Sequence, residues 1–484
     1  MKLRAPTPFA LLRSVARTVP FGDAGTAELP LGRLLRLSLF QVSVGMALVL
    51  LNGTLNRVMV IELGLPVSFV AFLIALPLIV APFRALIGQK SDHHRSIIGW
   101  RRVPYVWMGT LLQFGGFALM PFGLLVLSDH DSRTTAVGHV GLSLAFILVG
   151  AGLHTVQTAG LALATDLAPP ASRPRVVAML YSMLLVGMVV SALLFGWLLR
   201  DFDATRLIRC IHAAALATFL LNTIGVWNQE RRTAHKPGSP EPVPTLGQSW
   251  RALDRTRRPV RLLGALALGT AAFGMQDVLL EPYGGAVFGL SVSGTTLLTA
   301  LLAAGTLLAF ALAARMLGRG ADAHLIGALG LAAGIPAVVA MIFAGALHSL
   351  WLFGTGTAAI GFGGGLFAVG TLTAAMALGG SSRNGLALGL WGAVQATAAG
   401  VAIAAGGGLR DLVESPGVAA LFGPALADAS AGYGVVYHVE LALLFAGLAV
   451  LGPMVRLPGA DAAQGRLAAA RRARAAAALV QTRN

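Results

Sequence analysis

The chain has 484 residues, 56% of them hydrophobic and only 12% charged, with a mean hydropathy of +0.76 and a formal net charge of +16. A water-soluble fold has no interior for that much apolar surface, so the composition points to a bilayer. The cations flank apolar stretches with no RNA- or DNA-binding motif, which argues against a nucleic-acid partner, and the lone Cys210 excludes an intrachain disulfide or a cysteine metal cluster.

Residues 1–36 form a basic leading segment with no small-residue cleavage site after an apolar run, so no cleaved signal peptide is expected. Within it Phe9, Leu12, Ala16 and Val19 share one helical face and Arg13 and Arg17 another, as suits an interfacial helix. Apolar stretches follow near 37–61, 66–88, 103–127, 139–164, 175–199, 206–228, 260–282, 292–316, 325–347, 350–376, 383–408 and 434–456. Each is long enough to cross the hydrocarbon, where only a helix satisfies its own backbone. Lys and Arg gather on alternate connections. The opposite side carries only Arg57, Arg133, Arg200, Arg206, Arg209 and Arg410. The positive-inside rule then places both termini in the cytoplasm of a bacterial inner membrane.

The connection 229–259, with Pro237, Pro240, Pro242 and Pro244, separates six spans (37–228) from six more (260–456). The expected fold class is an all-α membrane protein of twelve transmembrane helices in two six-helix bundles. Its layout resembles the major facilitator superfamily, whose halves rock about a central cavity. The tail 457–484 is rich in Ala and Arg, with Arg466, Arg471, Arg472, Arg474 and Arg483 suited to anionic lipid or to a partner.

Loop 2–3 reads Gly88, Asp92, Arg95, Arg101 and Arg102, close to the facilitator pattern Gly-x3-Asp-x2-Arg. Gly88 lets helix ends approach. Asp92 is placed to accept from backbone amides at a helix N-terminus and to pair with an Arg, a cytoplasmic latch between states. Loop 8–9 echoes it weakly with Arg315, Gly318, Arg319, Gly320 and Asp322.

Polar residues at membrane depth are costly and mark function or pairing. Asn52 and Asn56 share a face of span 1, and Arg57 with Glu62 reads as a helix-end ion pair or a functional charge. Arg84 in span 2 can snorkel or face a carboxylate or phosphate. His154, with Gln157 one turn on, is the strongest candidate for a functional ligand in the spans, against an ordinary interhelical hydrogen bond. His212 is a weaker candidate, and His348 and His438 sit at span ends. Asp277 and Glu281 share a face of span 7 and read either as coupling acids or as a solvated cavity mouth. Gly361 with Gly365, and Gly385 with Gly389, form small-x3-small steps for helix packing or for a partner groove. No nucleophile triad, phosphate loop or metal-ligand spacing occurs, so no enzyme, catalytic residue or protein-bound metal is expected.

The stretch from Leu34 to Leu127 is more specific. It contains Leu37-Ser38-Leu39-Phe40-Gln41, Leu51-Asn52-Gly53-Thr54-Leu55-Asn56-Arg57, Ala81-Pro82-Phe83-Arg84, Gly99-Trp100-Arg101-Arg102-Val103-Pro104-Tyr105, and Gly109-Thr110-Leu111-Leu112-Gln113-Phe114-Gly115-Gly116. It resembles the PucC/LhaA family, the bacteriochlorophyll-delivery branch of the facilitator superfamily. The resemblance implies the intracytoplasmic or cytoplasmic membrane of a phototrophic purple bacterium. It implies delivery of bacteriochlorophyll to light-harvesting antenna polypeptides, or help with their assembly, and for such a pigment His154, Gln157, Asn52, Asn56 and His212 are the candidate contacts. The reaction centre or core antenna ring and pigment-synthesis enzymes are further implied partners. Two other readings stay open: a secondary transporter of a small amphipathic solute by alternating access, and a structural subunit beside the antenna ring.

Overall fold

The computed structural model describes residues 25–26, 29–80, 83–84, 87, 91, 96, 99–128, 132–169, 172–230, 258–418 and 430–455. Every regular element among them is helical. The first half runs α1 (Leu31–Glu62), α2 (Val67–Val80), α3 (Val103–Ser128), α4 (Ser132–Leu167), α5 (Arg173–Leu198) and α6 (Ala204–Val226). The second runs α7 (Pro259–Ala286), α8 (Val292–Gly318), α9 (Ala323–Ala346), α10 (Leu350–Ala377), α11 (Leu390–Glu414) and α12 (Ala431–Leu451). Eleven of these helices are long and apolar enough to cross a bilayer, and the described part of α2 is a shorter apolar helix. Large apolar side chains face outward, Phe122 at 64% and Trp351 at 74% exposure, which only lipid makes tolerable. The chain is a multi-pass membrane protein.

A helix lies at each of the twelve expected spans, α2 in a shorter described form, with several differences. The first helix begins at Leu31, not near 37, because Arg33 and Arg36 reach the end of α6. Arg33 Nε donates to Gln229 Oε1 (2.9 Å), and Arg36 Nη2 donates to the Trp227 carbonyl (3.0 Å). Cations at a helix C-terminus satisfy its open carbonyls. Helix α4 starts at Ser132, a turn or more before the expected 139.

The third difference lies between α10 and α11, where a loop is expected and helix continues from Leu350 to Glu414. Trp391 Nε1 nevertheless donates to Thr371 Oγ1 (3.2 Å). Twenty residues of straight helix would span about 30 Å, so the chain folds back between them. Helix α11 also ends later than expected, because Arg410 pairs with Asp411 (3.0 Å) and Glu414 (2.6 Å) and keeps the charged last turns helical. The fourth difference is that α7 is not one regular rod. A 3-10 segment, Met275–Val278, separates its two helical parts. The expected interfacial helix at 9–19, most of the linker and the basic tail lie outside the described residues.

Buried polar ties hold the first half together. Ser43 Oγ donates to Asn222 Oδ1 (2.6 Å), whose Nδ2 donates to Thr110 Oγ1 (3.0 Å), joining α1, α6 and α3. Such interhelical bonds contribute about 0.6–2 kcal/mol each in a membrane. Contacts between the halves gather at the end opposite the linker. Asp411 Oδ2 of α11 accepts from the Ser68 amide in the first turn of α2 (2.6 Å). Asn56 Nδ2 donates to the Val278 carbonyl (3.0 Å), and Arg57 Nη2 to the Leu290 carbonyl (3.1 Å).

Candidate functional site

Three regions contain the residues singled out from the sequence. The first is the linker end of α3. Arg102 is buried, its Nε donating to Asp166 Oδ2 (3.1 Å) and its Nη1 to Ser91 Oγ (2.5 Å). Glu230, just past α6, accepts from the amides of Arg101 (2.7 Å), Arg102 (3.0 Å) and Val103 (3.0 Å). A carboxylate on three free amides at a helix N-terminus is a strong cap. Glu230 thus caps the amides and Asp166 pairs with the guanidinium at this end of α3. These ties brace the first half internally and do not bridge the halves. Gly88, Asp92 and Arg95 lie outside the described residues.

Alongside this network, the outer face of α3 carries a groove of about 580 Å³ lined by Ser96, Trp100, Pro104, Trp107, Met108, Leu111 and Leu112. Its walls are almost wholly apolar, and Trp107 stands edge-on to Phe219 of α6 at 5.8 Å. Nothing in the sequence pattern alone separates this face from an ordinary lipid-facing one.

The second region is the polar interior of the first half. His154 is 7% exposed, its ring faces the Pro77 backbone, and neither ring nitrogen has a hydrogen-bond partner. Gln157 Nε2 approaches Gln41 Oε1 (3.4 Å), and Arg84 Nε donates to Thr158 Oγ1 (3.1 Å). Gln113 is fully buried with both side-chain polar atoms unpaired. His212 is exposed on the outside of α6, so it does not join His154. His348 and His438 are exposed as well.

The third region is the break in α7. Asn52 is half-buried and Asn56 fully buried on α1, within π-helical turns that run past Gly53. A β-carbon at Gly53 would lie 2.9 Å from Thr299 Oγ1 and against the Glu281 carboxylate, so only glycine admits α7 and α8 here. Arg57 pairs with Glu62, as expected. Glu281 is 1% exposed and accepts from Thr299. This corrects the solvated-mouth expectation for Glu281, because α1 and α8 close over the carboxyl. Asp277 is half-buried and lines a cavity of about 190 Å³ with Thr270, Phe273, Trp391 and Gln395. Sequence reading missed Glu440 in α12, which is fully buried. An acid inside an apolar span was the available signal.

The glycine steps resolve in part. Gly361 and Gly365 pack against Leu302, Thr306 and Ala309 of α8, and Thr306 Oγ1 donates to the Gly361 carbonyl (3.0 Å). They are therefore filled from within and leave no groove for an outside helix. The side chains around Gly385 and Gly389 lie outside the described residues. Among the described residues no three His, Cys, Asp or Glu side chains gather as a metal centre requires.

Comparison with known proteins agrees with this architecture. A bacterial homologue of the lysosomal transporter Spinster, in an inward-facing unoccupied conformation, superposes with a TM-score of 0.65 over 87% of this chain and 95% of its own, at 17% identity. The fold is therefore major-facilitator-like. Protein PucC of Rhodovulum sulfidophilum is 54% identical over 82% of this chain and 89% of its own length. The bacteriochlorophyll synthase 44.5 kDa chain of Rhodobacter capsulatus is 31% identical over 85% of this chain and 92% of its own. The family described as PUCC protein matches residues 54–458, and this chain belongs to it.

Proposed function

We propose that this protein is a non-enzymatic assembly factor for light-harvesting antenna complexes in a phototrophic membrane, and that it handles bacteriochlorophyll on its lateral surface. Relatives named PucC and a relative named as a bacteriochlorophyll synthase chain support the role. The observation that carries the placement is the groove on α3. Its volume of about 580 Å³ falls within the ~300–1,000 Å³ usual for small-molecule sites. Two indoles line it, apt for stacking on a macrocycle, and the remaining aliphatic wall suits a prenyl tail. Magnesium accepts oxygen ligands, and Ser96 brings a hydroxyl to the groove.

His154 is less suited in this conformation. It is enclosed between α2 and α4, and a macrocycle reaches its ring only if those helices part. By the positive-inside rule the linker end is cytoplasmic, which puts the groove near that face of an inner or intracytoplasmic membrane. Antenna polypeptides meeting α3 from the lipid would receive pigment directly, without alternating access.

The test is mild purification from a phototrophic host followed by pigment extraction. Wild-type protein is expected to carry bacteriochlorophyll, Trp107→Ala to lose most of it, and His154→Ala to retain it. Loss with His154→Ala and retention with Trp107→Ala would move the pigment to the interior. Pigment-free protein that instead takes up a solute would favour the transporter reading.

A further inference from the structure

The break in α7 is surrounded by oxygen acceptors that lack donors. Glu440, fully buried in α12, lies beside Asp277 and is approached by the Gln276 backbone, and among the described residues no side chain donates to its carboxylate oxygens. Gln276 is 1% exposed. Its Nε2 donates to Asp277 Oδ1 (2.9 Å), and its Oε1 is left bare. On the α1 side, Glu281 Oε2 and Asn56 Oδ1 are also buried without partners. The groups packed around these acids are Arg57 from α1, Thr295 and Thr299 from α8, Gln395 from α11, and Tyr433 and Tyr437 from α12. Arg57 is taken by Glu62 and the Leu290 carbonyl and acts on Glu281. Among the described residues no cation pairs with Asp277 or Glu440.

A buried carboxylate at membrane depth is costly, and taking up a proton or a small cation relieves that cost. Broken helices supply that setting elsewhere, because unwound backbone at the break binds small cations. We propose that the α7 break binds one small monovalent cation, a proton or Na⁺, between Asp277, Glu440 and the Gln276 side-chain oxygen. Asp277 also lines a cavity of about 190 Å³ between α7, α10 and α11. Too few acids converge for a transition-metal centre. The site adjoins the Asn56 and Arg57 contacts that join α1 to the second half, so its occupancy bears on how firmly that end stays closed.

The test uses the full-length protein in nanodiscs. Its melting temperature is followed as Na⁺ replaces K⁺ at constant pH and ionic strength, and as pH changes in K⁺ alone. A response to Na⁺ identifies sodium, and a response to pH alone identifies the proton. In either case Glu440→Gln is expected to abolish the response. Infrared difference spectra of the wild-type protein should show a carboxyl band that moves with the same ion. If Glu440→Gln does not fold, Asp277→Asn replaces it, with loss of that band expected. A wild-type protein with no thermal response and no moving carboxyl band overturns the proposal. So does a response of equal size in the variants.

Discussion

Glu230 shows how one side chain can organise a helix end. Its carboxylate takes the three amides that open α3, while the buried guanidinium of Arg102 is held by Asp166 and Ser91. Removing such a cap costs about 0.5–2 kcal/mol. Glu230→Ala is therefore expected to lower the melting temperature of the purified protein by a few degrees, and Glu230→Gln by less. An unchanged transition for Glu230→Ala would mean that the amides find an equal partner. At this scale the sequence told only part of the story. An acid on helix-opening amides near Arg101 and Arg102 was legible, but Glu230 lies more than a hundred residues away, and no local pattern reveals a pairing over that distance. Glu440 differs, since a carboxyl between Val439 and Leu441 announces itself without any neighbour.

Helices meet in this molecule through small residues and a few polar ties. Hydropathy alone located the spans well, because each must be apolar along its length. It did not place the break in α7, although Gln276 and Asp277 interrupt the apolar run directly after Met275. It placed both α10 and α11 but expected a loop between them, where the structure stays helical and the sequence carries no Pro. The tie between Asp411 of α11 and the Ser68 amide of α2 is a charged hydrogen bond between the two halves. Bonds of this kind are worth about 1.5–3 kcal/mol, enough to shift a two-state balance tenfold or more. Spin labels at Pro66→Cys and Pro416→Cys, in a Cys210→Ser background, would report the separation of those helix ends. Asp411→Ala is expected to raise the population at longer distance at least several-fold. An unaltered distance distribution would show that apolar packing of Ala71 against Gly407 holds the end closed unaided.

At the scale of the whole molecule, two six-helix halves meet tightly at one end, and an apolar aromatic groove lies on the outside of the first half. A facilitator fold usually works through its central cavity. In the role proposed here, the groove offered to a pigment lies on the outer face of α3 rather than in that cavity. The family and the membrane fold were both legible from the sequence, the former in the residues from Leu34 to Leu127. The position of the groove was not, because lipid-facing and pigment-facing apolar surfaces have the same composition.

The most direct measurement is the near-infrared absorption spectrum of membranes from a source strain lacking this gene, with and without the gene restored on a plasmid. Loss of a light-harvesting antenna band, with its recovery on complementation, is the expected result. An antenna band of wild-type intensity in the deletion strain would contradict a role in antenna assembly.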